Sequence, residues 1–494
     1  MKYITSLLSK IRLSWLLLFL LPLLVYAGGI MERYGLRDDY STLREAREGG
    51  EIIFQVNASH GRPVYGWLLE YSFALLDGID SLHWPRLLSA LLAGLLALLT
   101  AWSLELQLRW HRTSAWLVGG LLALLPATQI YVHWAICWPI VLAAVLGVGA
   151  FITAQWGYDQ TSRIKRMLGA GGAFVLLLLA LLDYQPNALL FVVLIAAGWT
   201  ARLPEPQGTK VRWAVWHVGL VTLALVAAFV VSRSIFSFSH VERSPRFSVE
   251  TDWWGKLAWS ADHALQNALA VEILADDTGR TEPWHKLAAA AAGATIIAFG
   301  VYARRKHGWA AAWSWWAGFL SLSLLAYAVS FVAAERWATY RTLLPLSGVV
   351  VVFLVHAIAT ALGPRRRTTA LFYSILGSAA LLAHHDSHEY LAKEQETELV
   401  RLETVARKVD LATMTRVSLL LPLSENPSAP LHYLDEFGSL STDADWCAKE
   451  MLLLLLHEDF PRDSNAIAHL QVSAESEPPT QGTYDVLLDL RPKG

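Results

Sequence analysis

Charge is what this sequence lacks most for its size. Only 17% of its 494 residues are charged, against roughly 25% in a soluble protein of ordinary composition. The formal net charge is -2, so nothing global attracts nucleic acid. Cysteine is scarce too, with Cys137 and Cys447 the only two. The first lies in an apolar run and the second in the polar C-terminal region, which speaks against a disulfide, and no zinc-type spacing exists. There is no Gly-rich phosphate loop, no dinucleotide fingerprint and no internal repeat. These absences set aside nucleic-acid binding, nucleotide chemistry on a phosphate loop and a zinc framework.

What is present is apolar length. The chain is 54% hydrophobic and carries 22 tryptophans, a residue enriched at membrane interfaces, where the indole N–H stays wet and the ring dry. About eleven stretches reach the ~20-residue length a bilayer requires. They run near 13–30, 86–106, 114–131, 134–154, 169–183, 187–201, 213–235, 284–303, 309–333, 342–363 and 368–384. The polar turn Asp183–Asn187 divides one long run into a hairpin. Val25–Ala27 also suits a processing site after a signal peptide. Cleavage there would leave the sidedness downstream unchanged.

Every second connection is basic. Lys2, Lys10 and Arg12 are followed by Arg109 and Arg112; Arg163, Lys165 and Arg166; Arg202, Lys210 and Arg212; Arg304, Arg305 and Lys306; and Arg365, Arg366 and Arg367. Positive loops face the cytoplasm. The N-terminus is therefore expected inside, and the long loops 31–85 and 236–283 outside with the C-terminus. Within these loops, residues 62–79 and 252–274 place apolar side chains at helical spacing, which suits interfacial helices or plain packing on the bundle.

From about residue 385 the character changes. A charged helix over 387–409, a strand over 416–421, a helix over 442–458 with Thr442 as a possible cap, and strands near 466–473 and 484–490 are expected. The reading is an all-α polytopic membrane bundle, residues 1–384, with a small extracytoplasmic α/β domain, residues 385–494.

The acid pair Asp38 and Asp39 follows the first span. Adjacent carboxylates repel, so one can be raised in pKa and act as a base; a solvated loop end, or ion pairs with Arg33 or Arg37, would explain the pair equally. Arg336 and Arg341 stand in a short outer turn, where the other short turns lack bases, and Arg62 lies in the first loop. Any of them can hold a phosphate or simply a lipid headgroup. Arg243, Arg246 and Lys256 in the second loop are weaker candidates. His60 and His83 flank the first interfacial segment. Gln185 can bond a sugar or cap its turn. Asp276 and Asp277 read as a turn.

The pieces YGLRDDY, GRPVYGWLLE, WPRLLSALL, LLPATQIYVHWA, DYQPNALLF and YRTLLPLSG, in that order, resemble the GT-C class of integral-membrane glycosyltransferases. Within it the chain is most similar to the bacterial and phage O-antigen glucosyltransferases of the Gtr type II family, over residues 10–380. The resemblance implies a transferase of the bacterial inner membrane. It would move a sugar, a hexose such as glucose, from an undecaprenyl-phosphate carrier to an envelope glycan or glycolipid such as lipopolysaccharide O-antigen, on the periplasmic face. It implies that Asp38 or Asp39 is the base, that Arg62 with Arg336 or Arg341 contacts the donor phosphate, and that Gln185 and His60 lie at the substrate. It implies no cofactor and no metal. A partner at the C-terminal domain is a further expectation. The competing classes are a transporter or flippase of lipid-linked oligosaccharide, which would favour mid-bilayer charges and repeated topology, and a non-catalytic scaffold of envelope assembly.

Overall fold

The computed structural model describes residues 13–491, apart from 50, 204, 239–243, 245–247, 277–281, 423–431, 479 and 481. Lys2, Lys10, Arg12, Arg243, Arg246 and Asp277, each singled out in the sequence, lie outside the described residues.

The chain is a multi-pass helical bundle, because a backbone in hydrocarbon must bond to itself. Among the described residues, seven helices are long and apolar enough to cross a membrane. An eighth arises if Arg112–Leu122 and Pro126–His133 count as one span bent by 50°, the bend falling just before Pro126, which cannot donate to the turn ahead of it. The other expected spans are helices of different character. Leu190–Ala201 is short, Trp309–Ala326 is diluted by tryptophan and serine, and Arg366–Ser387 is diluted by arginine at one end and histidine at the other.

Close approach between helices is made by glycine. A Cβ at Gly94 would meet the carbonyl oxygen of Phe19 at 2.1 Å, and one at Gly169 would meet the Cα of Gly157 at 2.5 Å. Small residues are what let helices pack this tightly in lipid, where van der Waals contact replaces the hydrophobic drive.

The first loop folds into three helices, Asp38–Glu48, Ile52–Ser59 and Pro63–Phe73. The last one leaves Trp67 and Tyr71 exposed, and Leu75 is exposed just beyond it. In the second loop, Trp253–Trp259 likewise exposes Trp253 and Trp254. Both faces have the composition expected of interfacial helices.

Arg366–Ser387 runs through one wide turn, His388–Ala392, into the charged helix Lys393–Ala406. Three parallel strands follow: β1 (Arg416–Leu420), β2 (Gln471–Glu475) and β3 (Val486–Asp489), in the order β2-β1-β3. The helix Asp445–Asp459 is the crossover between β1 and β2, which a parallel pair requires. Thr442 does not cap that helix as expected. Its N–H and hydroxyl both go to Glu398, as does the N–H of Ser441, because a buried carboxylate needs all the donors it can reach. Residues 466–468, expected in a strand, belong instead to the short helix Ser464–Ala468 ahead of β2.

The C-terminal region is strapped to the first loop by ion pairs. Arg33 meets Asp80, Glu403 and Glu458, and Arg44 meets Glu450. Glu458 also accepts the N–H of Ile79 at 2.7 Å.

Candidate active site

The segment after the first span is aimed by a buried arginine. Arg86, with no exposed surface, donates to the carbonyls of Gly29 and Glu32, both at 3.0 Å, and of Tyr34 at 2.6 Å. Its guanidinium lies 3.9 Å from the centre of the Tyr34 ring. A cation here suits the negative end of the first helix and satisfies carbonyls that the helix leaves open.

The acid pair is split by its surroundings. Asp39 is fully buried and points inward, where its two oxygens accept three backbone N–H groups: Leu36 at 2.9 Å, Ala135 at 3.2 Å and Ile136 at 2.9 Å. Burial pushes its carboxyl up to about 7, while these donors pull it down. The result is a clamp between the first loop and the turn that opens the helix Trp138–Tyr158. Asp38, the next residue back, is half-buried. Its charge is felt at Tyr65, Cys137 and Glu436. Neighbours on one helical turn thus differ in burial, Asp39 enclosed and Asp38 half-buried at the end of the bundle that the C-terminal region packs against.

Arg62 and Gln185 meet there. Arg62 Nε donates to Gln185 Oε1 at 3.1 Å, and Gln185 Nε2 donates to the carbonyl of Gly61 at 2.7 Å. The Arg62 guanidinium rests 4.6 Å from the Tyr184 ring centre. Gln185 therefore holds an arginine rather than capping its own turn. Gly61 has φ +75°, a conformation that glycine adopts without cost, and it sets Arg62 at the mouth of the helix Pro63–Phe73. His60 is half-buried, two residues before Arg62. His83 turns away, its Nδ1 on the carbonyl of its own neighbour Asp80 at 2.6 Å.

The two arginines of the short outer turn separate. Arg341 joins the Asp38 cluster, packed 4.4 Å from the Trp134 ring centre. It is already paired: Asp435 lies at 2.7 Å and Glu436 at 3.2 Å, the Asp435 carboxylate fully enclosed. The backbone N–H of Arg341 also donates to Asp435, at 3.0 Å. Arg336 lies apart from that cluster. It pairs with Asp252 at 3.0 Å and Glu250 at 3.7 Å, the acids of the second loop that lie closest along the folded chain. Lys256, another candidate, is spent on the carbonyls of Ala333 at 2.9 Å and Glu335 at 2.7 Å.

Several members of the cluster carry no signal in the sequence. Arg37, at φ +42°, reaches Glu436 at 2.6 Å. Burial raises the Glu436 carboxyl, while Arg341 and Arg37 draw it back. Tyr65 donates to the carbonyl of Ile136 at 3.0 Å. Asp183, fully buried beside Arg62, has both oxygens without a hydrogen-bond partner among the described residues. Asp435 and Glu436 come from a turn some four hundred residues after Asp38, so no local pattern could have announced them. Among the described residues no group of three or more metal-ligating side chains is present.

Chemically, this end of the bundle holds a half-buried carboxylate, an arginine held by the polar hairpin, and the buried rings of Tyr65, Trp134 and Tyr184. Such a set can accept a proton from a hydroxyl and hold a phosphate oxygen.

No protein-family model matches the sequence, and no curated protein matches it either. Three solved structures resemble the fold at low identity. The archaeal oligosaccharyltransferase AglB from Archaeoglobus fulgidus, in complex with an inhibitory peptide and a dolichol-phosphate, is 12% identical with a TM-score of 0.39, over 80% of this chain and 58% of that one. The Archaeoglobus fulgidus oligosaccharyltransferase complex with Zn and sulfate is 12% identical with a TM-score of 0.44, over 93% and 62%. ArnT from Cupriavidus metallidurans, bound to undecaprenyl phosphate, is 13% identical with a TM-score of 0.40, over 92% and 74%. The chain spans about six tenths of the length of the two oligosaccharyltransferases.

Proposed function

We propose that this protein is a membrane glycosyltransferase that moves a sugar from a polyprenyl-phosphate carrier to an envelope glycan or glycolipid. Asp38 is the base. It takes the proton of the acceptor hydroxyl as that oxygen bonds to the anomeric carbon, while the bond from that carbon to the phosphate oxygen breaks. The polyprenyl phosphate leaves with the electron pair, and Arg62, oriented by Gln185, stabilises the charge that develops on it. Asp39 positions Asp38 without touching substrate.

The observation that supports this reading is the meeting of Asp38, Arg62, Gln185 and Arg341 at one end of the bundle. They come from the first loop, the polar hairpin and the start of the helix Tyr340–Leu362. The exposed aromatic faces of both loops give a lipid carrier a path from the bilayer to that end. In the finer form of the proposal, the site faces the periplasm of the bacterial inner membrane. The sugar is a hexose such as glucose, the acceptor is lipopolysaccharide O-antigen, and no metal or cofactor takes part.

The test is genetic and chemical. The gene is deleted in its host and complemented with wild type or Asp38→Asn at matched membrane abundance, and surface glycans are weighed by mass spectrometry. The proposal expects a hexose increment that disappears on deletion, returns with wild type and stays absent with Asp38→Asn. Full restoration by Asp38→Asn would move a lipid-linked-oligosaccharide transporter or a scaffold ahead of it.

A further inference from the structure

One acid beside Arg62 takes part in no bond of the fold. Asp183 ends the helix Arg163–Asp183 and opens the polar hairpin. It has no exposed surface, and neither carboxylate oxygen has a hydrogen-bond partner among the described residues. The amides of the same hairpin are fully engaged. Gln185 bonds Arg62 with its oxygen and the carbonyl of Gly61 with its nitrogen. Asn187 donates to the carbonyl of Ile140 at 3.0 Å and accepts from the Tyr131 hydroxyl at 3.1 Å.

This exception destabilises the fold. A buried polar group without a partner loses its water and gains no bond in return. An acid in the last turn of a helix also meets the negative end of the dipole. An apolar side chain at this position would suffer neither penalty. Packing therefore does not account for Asp183, whereas a ligand that brings a hydrogen to it does.

Arg62 shows what kind of ligand. Its charge bears on Asp183, yet the two do not bond. Arg62 uses Nε on Gln185, and among the described residues its two Nη groups have no hydrogen-bond partner. Open donors and open acceptors thus stand near each other without meeting. A group that joins them must accept from a guanidinium and donate to a carboxylate. A hydroxyl does both. The phosphodiester of a lipid-linked sugar has no hydrogen to give, so it suits Arg62 alone.

We infer that Asp183 accepts a hydrogen bond from the donor sugar, from the hydroxyl on the carbon next to the anomeric carbon. The inference rests on the proposed role of Arg62 at the donor phosphate. With the phosphate there, that hydroxyl is the one nearest the guanidinium and hence Asp183. The donor is then a sugar with a free hydroxyl at this carbon, not a deoxy or acylamino sugar. Asp183 is enclosed, so the hydroxyl enters with a shift of the hairpin, which Gln185 ties to the first loop by two bonds.

The test uses the full chain in neutral detergent, with binding counted by native mass spectrometry. The probes are a short-chain polyprenyl phosphate, the corresponding polyprenyl phosphoryl glucose and its 2-deoxyglucose analogue. Asp183→Leu removes every acceptor, and Asp183→Asn keeps the shape and one acceptor oxygen. The inference expects wild type to prefer the glucose ester over the deoxy analogue by roughly tenfold or more. That preference should vanish in Asp183→Leu and shrink in Asp183→Asn, while polyprenyl phosphate binds all three proteins alike. Arg62→Gln should instead weaken every probe. Equal binding of the glucose ester and its deoxy analogue by wild type overturns the inference, as does a preference that survives in both Asp183 variants. Loss of all probes together in both variants marks a purely structural acid and overturns it too. Failure of wild type to bind any probe counts against the transferase reading itself, and the inference falls with it.

Discussion

Arg37 and Arg341 hold the same carboxylate. Glu436 takes Arg37 on Oε2 at 2.6 Å and Arg341 on Oε1 at 3.2 Å. One arginine comes from the turn after the first span and the other from the start of the helix Tyr340–Leu362, so a single acid of the C-terminal region joins both elements beside Asp38. The turn that carries it is itself fixed. Leu434 donates to the carbonyl of Ala275 at 2.7 Å and Gly438 to that of Tyr390 at 2.7 Å. The C-terminal region is thereby fixed against the elements that carry Asp38 and Arg341.

The two members of the acid pair should separate in experiment. Asp38→Asn is expected to keep the fold and lower transfer by 10²–10⁴-fold, the usual worth of a general base (an order-of-magnitude figure). Asp39→Asn puts an NH₂ group among three N–H donors and is expected to cost about 2–4 kcal/mol of stability. The thermal midpoint and the glycan increment, measured on the same membranes, distinguish these outcomes. Equal loss of midpoint in both variants would contradict the assignment.

Arg341→Met leaves Asp435 enclosed without its cation. Removing one partner of a buried pair costs roughly 3–5 kcal/mol, so membrane abundance should fall sharply. Adding Asp435→Leu should recover part of it, with Glu436 still held by Arg37. A neutral Arg341→Met variant would show that the pair contributes little.

Arg62→Gln should weaken use of the donor more than use of the acceptor. A hydrogen bond to a charged group is worth about 1.5–3 kcal/mol, which corresponds to a fall of roughly ten- to a hundredfold in kcat/KM for the donor. Arg62→Lys should fall between, since lysine keeps the charge but lacks the planar fork that meets Gln185 and stacks on Tyr184. Steady-state kinetics with a lipid-linked sugar reads both effects.

Glu272 predicts a pH dependence of stability. Its oxygens are buried without hydrogen-bond partners among the described residues, and burial pushes the carboxyl up to about 8, with Asp386 adding to the rise. Unfolded, the group loses its proton near 4.5. Between these values the folded state binds more protons, so its contribution to stability falls as pH rises through the window and is level above it. Glu272→Gln should leave the midpoint unchanged near pH 4 and raise it at pH 9. An identical pH profile in both proteins would remove Glu272 as the cause.

Gly94→Val should disturb the contact of the first two spans, because its side chain would overlap the Phe19 carbonyl. Overpacking of this kind costs about 1–3 kcal/mol. A thermal midpoint equal to that of wild type would show that the helices have room.

Two kinds of information about this protein come from different levels. The apolar runs and the alternation of basic connections are local, and they follow from burying backbone and charge in or beside hydrocarbon. The sequence alone therefore determined a helical membrane bundle with a polar C-terminal region, and it pointed to Asp38, Arg62, Gln185 and Arg341. Tertiary structure decided which acid is enclosed. Asp38 and Asp39 are indistinguishable as letters, and only the N–H groups of Leu36, Ala135 and Ile136 draw one of them inward. It also parted Arg336 from Arg341, since the acids that claim them, Asp252 and Asp435, lie far off in the sequence. Ion pairing selects partners by distance in space, and spacing along the chain carries no record of that distance.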